Sequence, residues 1–109
     1  MALETIVEFN NEKNLWDIKL DGDLDIYTSN DFRNKVIQSF EQKEVSLNID
    51  GEKLKYIDST GLGVLISILK ILQEKDKEIY IENIKPNIRK IFDITELDKL
   101  FVIRGENNA

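Results

Sequence analysis

Alternation of apolar and polar residues near the start of the chain predicts two strands. Ile6, Val7 and Phe9 form the first apolar segment, and a polar stretch at residues 10–14 follows it. The second segment alternates apolar and charged side chains, with the period of two of a strand that has one buried face: Trp16, Asp17, Ile18, Lys19 and Leu20. Two such segments joined by a short polar turn predict a β-hairpin whose sheet is covered on one side.

Helical and strand-like patterns alternate through the rest of the chain. The apolar residues of the first predicted helix share one face: Phe32, Val36, Ile37 and Phe40. We expect its cap at Thr28, Ser29 or Asn30. A second helix follows Gly61, and a third begins at Pro86, because proline suits the first helical position. Extended segments are predicted at residues 45–49, 54–57, 78–82 and 100–103.

This order of elements predicts an α/β domain. Two strands are followed by helix, strand, helix, strand and helix, and crossover connections through helices make neighbouring strands parallel. The hairpin is antiparallel, so we expect a mixed sheet of about four or five strands packed with helices. The 109 residues suffice for a single domain that spans residues 1–109, with a short polar tail at about 104–109.

The second helix is apolar around most of its circumference. Its apolar residues cover an arc of roughly 220°, whereas a helix on one face of a sheet needs a stripe of about 100°: Leu62, Val64, Leu65, Ile66, Ile68, Leu69, Ile71 and Leu72. Neighbouring helices can cover the additional surface. Alternatively, the part of this arc next to Ser59 is exposed and receives a partner protein.

Composition excludes several classes of function. The chain has 21 acidic and 15 basic residues, a net charge of -6, and this balance does not favour nucleic acid as a partner. It has no cysteine and no histidine, so thiolate chemistry, a serine–histidine nucleophile and a histidine metal site are excluded. We expect no catalytic residues, no metal and no cofactor. With no apolar leader and no run long enough to span a bilayer, we expect a cytoplasmic protein that does not enter the membrane.

The candidate site of chemistry lies where a strand pattern gives way to the second helix, at Asp58-Ser59-Thr60-Gly61-Leu62-Gly63. A helix N-terminus offers unpaired N–H groups and the positive end of a dipole, so it can hold a phosphate. Ser59 is therefore the leading candidate for a regulated residue. The alternative is that Ser59 or Thr60 only caps the helix.

Two other kinds of site share some of these residues. Asp23, Asp25, Asp58 and Lys85 are the residue types of a phosphoaspartate receiver, but only one helix and one strand lie between Asp58 and Lys85, about half of what a receiver's βα repeat needs. Asp23 and Asp25 are also typical turn and capping residues. A dinucleotide fingerprint at Gly61 is a weak match, because Ile66 replaces the third glycine.

Three segments, taken in order, resemble the bacterial anti-sigma factor antagonists built on the STAS domain. Gly22-Asp23-Leu24-Asp25 is similar to an early turn of that family, and residues 58–63 are similar to its phosphorylation segment. The third segment runs from Pro86 to Phe101 and is similar to the family's C-terminal part. Arg104 to Ala109 is too short and polar for the extra terminal helix of some members.

The resemblance implies a partner-switching function. In that family the unmodified antagonist binds an anti-sigma factor that is also a serine kinase, which releases a sigma factor, and phosphorylation ends this binding. A PP2C-type phosphatase restores it, and the kinase binds the ATP. By position the phosphorylated residue is Ser59. Partner contacts are expected at seven residues around it: Asp23, Asp25, Asp58, Thr60, Gly61, Leu62 and Gly63.

A second function is compatible with the same fold. The alternative is a STAS subunit of a lipid-transport or stress-signalling assembly that is never phosphorylated. Two hydroxyl groups beside a glycine do not distinguish the two functions, and the binding of Ser59 variants to a partner would.

Overall fold

The computed structural model describes residues 2–104. Its strands are β1 (Leu3–Asn10), β2 (Leu15–Leu24), β3 (Leu47–Ile57), β4 (Ile79–Glu82) and β5 (Val102–Arg104). Its α-helices are α1 (Ser29–Gln42), α2 (Ser59–Gln73) and α3 (Pro86–Ile94), and a short 3-10 helix spans Leu97–Lys99. The predicted order of elements is confirmed, including Pro86 at the start of α3.

The strands form one mixed sheet in the order β1-β2-β3-β4-β5. β1 and β2 are the predicted antiparallel hairpin, whereas β2, β3, β4 and β5 run parallel to one another. Helices connect the parallel strands, as crossover connections require. Parallel order matters for the site because the carboxyl ends of β2 and β3 meet side by side, with Leu24 beside Ile57.

The hydrophobic core lies between the helices and one face of the sheet. Ile18 and Leu20 of β2 and Leu47 and Ile49 of β3 point to this face. They pack with buried residues of all three helices: Phe32, Val36, Phe40, Leu65, Ile68, Leu69, Leu72, Ile88 and Phe92. The second face of the sheet carries alternating polar residues, as expected for a strand that buries one side.

The carboxyl ends of β2 and β3 differ from the predicted boundaries. Residues 22–24, expected in a turn, continue β2, because Gly22 pairs with Leu3 of β1 and Leu24 pairs with Ile57 of β3. Gly22 has a φ of 128°, and an added Cβ would lie 2.2 Å from the Ala2 carbonyl oxygen, so the strand needs glycine at this point. The extended segments predicted before and after Gly51 form one continuous strand, β3.

The last strand is shifted relative to the prediction, since an extended segment was expected at residues 100–103 and β5 spans Val102–Arg104. Arg104 was expected in the polar tail but belongs to β5, where it pairs with Glu82. Its guanidinium lies 4.4 Å from the centre of the Tyr80 ring. The rest of the expected tail, residues 105–109, lies outside the described residues.

Helix α2 is covered by the sheet and by its neighbours over only part of its apolar arc. Leu65, Ile68, Leu69 and Leu72 are buried, whereas Leu62, Val64, Ile66 and Ile71 are half-buried. The Arg33 side chain of α1 reaches across to the Ser67 hydroxyl of α2 at 3.4 Å. Among residues 2–104, no helix is both long and apolar enough to cross a membrane.

Candidate functional site

Asp58 caps helix α2 and ties it to the loop after β2. Its backbone is extended, and one carboxylate oxygen accepts a hydrogen bond from the Gly61 N–H at 2.8 Å. The other carboxylate oxygen accepts from the Ile26 N–H at 3.1 Å. The Asp58 N–H donates to the Leu24 carbonyl at 3.3 Å, so this residue holds both segments of the site together. The alternative that Ser59 or Thr60 is the cap is therefore wrong.

Ser59 and Thr60 occupy the first two positions of α2, and both are exposed. Within residues 2–104, neither hydroxyl has a hydrogen-bond partner in the protein. Because the Asp58 side chain makes the cap bond, the Ser59 hydroxyl is not used for it. The Ser59 hydroxyl is therefore accessible to a modifying enzyme. It stands beside the Asp58 carboxylate at the positive end of the helix dipole.

Asp25 organises the loop between β2 and α1. It is only 3% exposed, and one of its carboxylate oxygens accepts hydrogen bonds from the Tyr27 N–H at 2.9 Å and the Thr28 N–H at 3.1 Å. This geometry supports the interpretation of Asp25 as a turn residue, but not as a helix cap, because both amides that its side chain binds precede α1. The expectation that Asp25 contacts a partner is not supported, because its buried carboxylate cannot reach the surface of another protein.

Thr28 and Asp23 complete the same loop. Thr28 is the residue before α1, but its hydroxyl makes no cap bond to the helix. It donates instead to the Asp23 carbonyl at 2.8 Å and accepts from the Asp25 N–H at 3.0 Å. Asp23 is half-buried, and its N–H donates to the Ala2 carbonyl at 2.9 Å. These bonds fix the position of the loop beside Asp58.

The two glycines at the start of α2 have different surroundings. Gly61 is buried, and a Cβ there would lie 2.4 Å from the Leu24 carbonyl oxygen and 2.9 Å from Ile57 Cγ1. The sequence led us to expect that a partner contacts Gly61. The backbone that packs against Gly61 is instead that of Leu24 in this chain. Gly63 is exposed, and a Cβ there would meet no atom within 4 Å.

Large apolar side chains are exposed around this junction. Ile26 and Tyr27, in the loop that Asp58 and Asp25 hold, are 64% and 79% exposed. Tyr56, two residues before Asp58, is 50% exposed and pairs with Asp23 in the sheet. The sequence patterns did not single out these residues, since they lie where regular periodicity ends. Leu62 of α2 is half-buried.

The site has no arrangement suited to a metal or a dinucleotide. Among the described residues, no three acidic or other metal-ligating side chains are grouped so that they could hold an ion. Gly61 lies inside the first turn of α2 against Leu24, which leaves no open loop there for a pyrophosphate. Glu82 stands in the sequence about where such a fingerprint has its ribose-binding acid, but it accepts a hydrogen bond from Asn48 at 3.1 Å on the polar face of the sheet.

Comparison with protein families identifies the chain. The model of the STAS domain matches residues 7–108. The chain belongs to the STAS domain family. An anti-sigma-B factor antagonist of Staphylococcus aureus is 31% identical to this STAS domain over 94 residues, which are 86% of this chain and 87% of the relative.

Solved structures share the fold of this STAS domain. An anti-sigma factor antagonist from Mycobacterium paratuberculosis has a TM-score of 0.82 at 20% identity, with 94% of this chain and 85% of that chain covered. The Bacillus cell fate determinant SpoIIAA in its phosphorylated form has a TM-score of 0.72 at 22% identity, with 93% and 91% covered.

The topology of this STAS domain also excludes the receiver alternative. A receiver has an all-parallel sheet in which the first strand lies between the second and the third. Here the first strand is antiparallel and lies at the edge, next to β2 alone. Asp25 is moreover engaged by the loop backbone. Asp58 therefore serves as a helix cap in an unrelated arrangement.

Proposed function

We propose that this STAS domain is an anti-sigma factor antagonist whose binding to its anti-sigma factor ends when Ser59 is phosphorylated. The observation that carries the proposal is the exposed Ser59 hydroxyl at the start of α2, in a chain 31% identical to an anti-sigma-B factor antagonist. The existence of a phosphorylated form of a protein with this fold supports the same mechanism.

The chemistry of the switch follows from the charges around Ser59. A phosphoryl group adds about -1.5 to -2 charge at neutral pH. It would stand next to the Asp58 carboxylate, on a chain with a net charge of -6. Placed at the margin of the exposed side chains of Ile26 and Tyr27, it would bring charge and bound water into an apolar contact. Like charges in an interface can cost several kcal/mol, which suffices to dissociate a partner.

The proposal also assigns the enzymes to other proteins. The anti-sigma factor would be the serine kinase and would hold ATP and magnesium, and a PP2C-type phosphatase would remove the phosphoryl group. The antagonist itself acts by binding and not by catalysis, in the cytoplasm, where sigma factors act. Asp58, Thr60, Leu62 and Gly63 would contribute to the contact surface around Ser59.

Binding measurements with Ser59 variants test the proposal. The affinity for the anti-sigma factor encoded in the same genome is measured by calorimetry for the unmodified protein, Ser59→Ala and Ser59→Asp. We expect Ser59→Ala to bind as the unmodified protein does, and Ser59→Asp to bind at least about tenfold more weakly. Asn34→Asp, which adds the same charge at an exposed position of α1 outside this contact surface, is the matched control, and it should bind as the unmodified protein does.

Equal affinities of Ser59→Ala and Ser59→Asp would overturn the switch. If both bind the anti-sigma factor tightly, the protein is an antagonist without this regulation. If neither binds any anti-sigma factor, the second candidate, an unphosphorylated STAS subunit of another assembly, takes its place.

A further inference from the structure

The outer edge of β1 presents backbone groups that no described strand satisfies. Trp16 of β2 pairs with Phe9 of β1, yet the Trp16 N–H donates to the Ser46 carbonyl, away from β1. In an antiparallel pair, two opposed residues exchange both hydrogen bonds or neither. Phe9 and every second residue before it therefore direct their N–H and C=O groups outward: Leu3, Thr5, Val7 and Phe9.

A contact from α1 supports this assignment. The Lys35 ammonium lies 2.5 Å from the Thr5 carbonyl oxygen, which is possible only if that carbonyl faces away from β2. Lys35 is exposed, so its flexible side chain can leave this position. Beside the edge is a groove of about 450 Å³ between β1 and the start of α1, lined among others by Leu3, Tyr27 and Phe32. The edge thus has room for a further strand.

Negative charge on β1 is not neutralised by ion pairs within residues 2–104, although Lys53 of β3 stands beside Asp21 of β2. On the polar face of the sheet, which no described helix covers and which is called the helix-free face below, Glu4 stands directly opposite Asp21, and Glu8 directly opposite Asp17. Like charges opposed across a strand pair destabilise a sheet. Glu4, Glu8 and Asp21 form no ion pair within residues 2–104, and Lys19 is the single basic residue between the two acidic pairs on this face. Between Glu4 and Glu8 lies Ile6, which is 41% exposed.

We propose that the outer edge of β1 binds an extended partner segment that has basic side chains at alternate positions. The segment adds a sixth strand, and its backbone pairs with the outward groups of Leu3, Thr5, Val7 and Phe9. Its Lys or Arg side chains lie beside Glu4 and Glu8 on the helix-free face. Its side chains on the opposite face enter the groove next to Phe32 and Tyr27.

A second copy of this chain fits the edge less well. In the two-fold register that is centred on Ile6, Glu4 of each strand would stand opposite Glu8 of the other, which repeats the like-charge contacts already present between β1 and β2. Repulsion of this kind is a known way to keep strand edges from self-association. The same charges select a strand of opposite sign, so the edge discriminates between partners.

A synthetic peptide of seven residues with alternating lysine and valine is the probe for this surface. It is titrated into the unmodified, isotope-labelled protein, and amide hydrogen exchange is followed by NMR. We expect slower exchange at the amides of Leu3, Thr5, Val7 and Phe9, and little change at the amide of Ile6, which already faces β2. A peptide with glutamate in place of lysine should leave all of these amides unchanged.

Charge reversal tests the chemistry of recognition. Glu4→Lys combined with Glu8→Lys should weaken peptide binding about tenfold. The matched control is Glu41→Lys with Glu74→Lys, which changes the net charge equally at exposed positions on α1 and just after α2. It should bind the peptide nearly as the unmodified protein does. Both double variants are checked for cooperative unfolding before use.

Two results would overturn the proposal. The first is an equal weakening of lysine–valine peptide binding in both double variants. It would show that binding depends only on the net charge of the protein and not on Glu4 and Glu8. The other is protection of the outward amides by the protein alone as its concentration rises, which would make a second copy the occupant. Neither result bears on the Ser59 switch, since the edge of β1 and the start of α2 are assayed separately.

Discussion

Asp58 shows how a single carboxylate organises the site at the scale of one residue. Its two oxygens accept hydrogen bonds from the Gly61 N–H and the Ile26 N–H, on two different segments. Replacement by alanine removes both acceptors, so Asp58→Ala should lower the free energy of unfolding by about 1 to 2 kcal/mol. Urea denaturation followed by circular dichroism measures this change.

The substitution Asp58→Asn is the matched control for that measurement. Asparagine is as good a helix cap as aspartate and keeps one acceptor oxygen, so Asp58→Asn should lose only part of the stability that Asp58→Ala loses. Equal losses in the two variants would show that the cap bond to Gly61 is not the main contribution of Asp58.

Gly61 and Gly63 provide a second comparison between single residues. An added methyl group at Gly61 would overlap the Leu24 carbonyl oxygen at 2.4 Å, whereas at Gly63 it would meet open space. Gly61→Ala should therefore destabilise the protein by about 1 to 3 kcal/mol. Gly63→Ala should stabilise it by up to about 1 kcal/mol, because alanine favours a helix over glycine.

Thermal unfolding of both glycine variants gives the result directly. We expect the two melting temperatures to move in opposite directions from that of the unmodified protein. A stabilised Gly61→Ala variant would mean that the Leu24 carbonyl does not pack against α2 as described.

The sequence singled out residues 58–63 as the candidate site but did not assign the roles of the individual residues. Asp58, Ser59 and Thr60 are all common capping types, so their chemistry could not decide where α2 begins. The decision depends on the Ile26 N–H, which lies 32 residues earlier in the chain and reaches Asp58 only through folding. The burial of the Asp25 side chain likewise depends on tertiary packing, although the hydrogen bonds that it accepts from the Tyr27 and Thr28 amides are local.

Helix α2 contributes both to the hydrophobic core and to the proposed partner-binding surface. Leu72 is fully buried against the sheet, whereas Leu62 in the first turn is half-buried near Ser59. Leu72→Ala should lower the free energy of unfolding by about 2 to 5 kcal/mol. Leu62→Ala removes the same atoms at a partly solvated position, so its loss should be clearly smaller. Urea denaturation of the two variants compares them.

The same pair of variants separates stability from recognition. If Leu62 belongs to the contact surface, Leu62→Ala should weaken binding to the anti-sigma factor more than its effect on folding explains. A stability loss at Leu62 as large as that at Leu72 would show that the apolar arc of α2 is fully covered within the domain.

Elements with strong periodicity were predictable, and their boundaries depended on pairing. The alternation in β2 and the apolar face of α1 are local properties, so both were predicted correctly. β3 was predicted as two segments, because Gly51 and the charges around it interrupt the apolar pattern. It is one strand because Asp50 and Lys53, on either side of the interruption, pair with Lys19 and Asp21 of β2.

At the scale of the whole molecule, the α-helices within residues 2–104 cover one face of the sheet and place Ser59 at its margin. Because the Ser59 side chain is exposed and has no bond within residues 2–104, its phosphorylation should change the free energy of unfolding by no more than about 1 kcal/mol. Repulsion from Asp58 and attraction to the helix dipole act in opposite directions there.

Unfolding of the phosphorylated and unmodified proteins in urea tests this expectation. Near-equal midpoints, together with a large loss of partner affinity, would place the switch at the surface of a fold that stays intact. A phosphorylated form that unfolds at much lower urea would indicate that the modification acts by disrupting the domain.

The most direct test of the account is to locate the phosphoryl group. The protein is incubated with the anti-sigma factor of its own genome, ATP and magnesium, and is then digested with trypsin and examined by fragmentation mass spectrometry. The peptide from Tyr56 to Lys70 contains three hydroxyl side chains of serine and threonine, at Ser59, Thr60 and Ser67. The account predicts one phosphoryl group, on Ser59 and stable to hydroxylamine. Phosphate on Thr60 or Ser67 alone, a hydroxylamine-labile phosphate on Asp58, or no phosphate while a control substrate is labelled would contradict it.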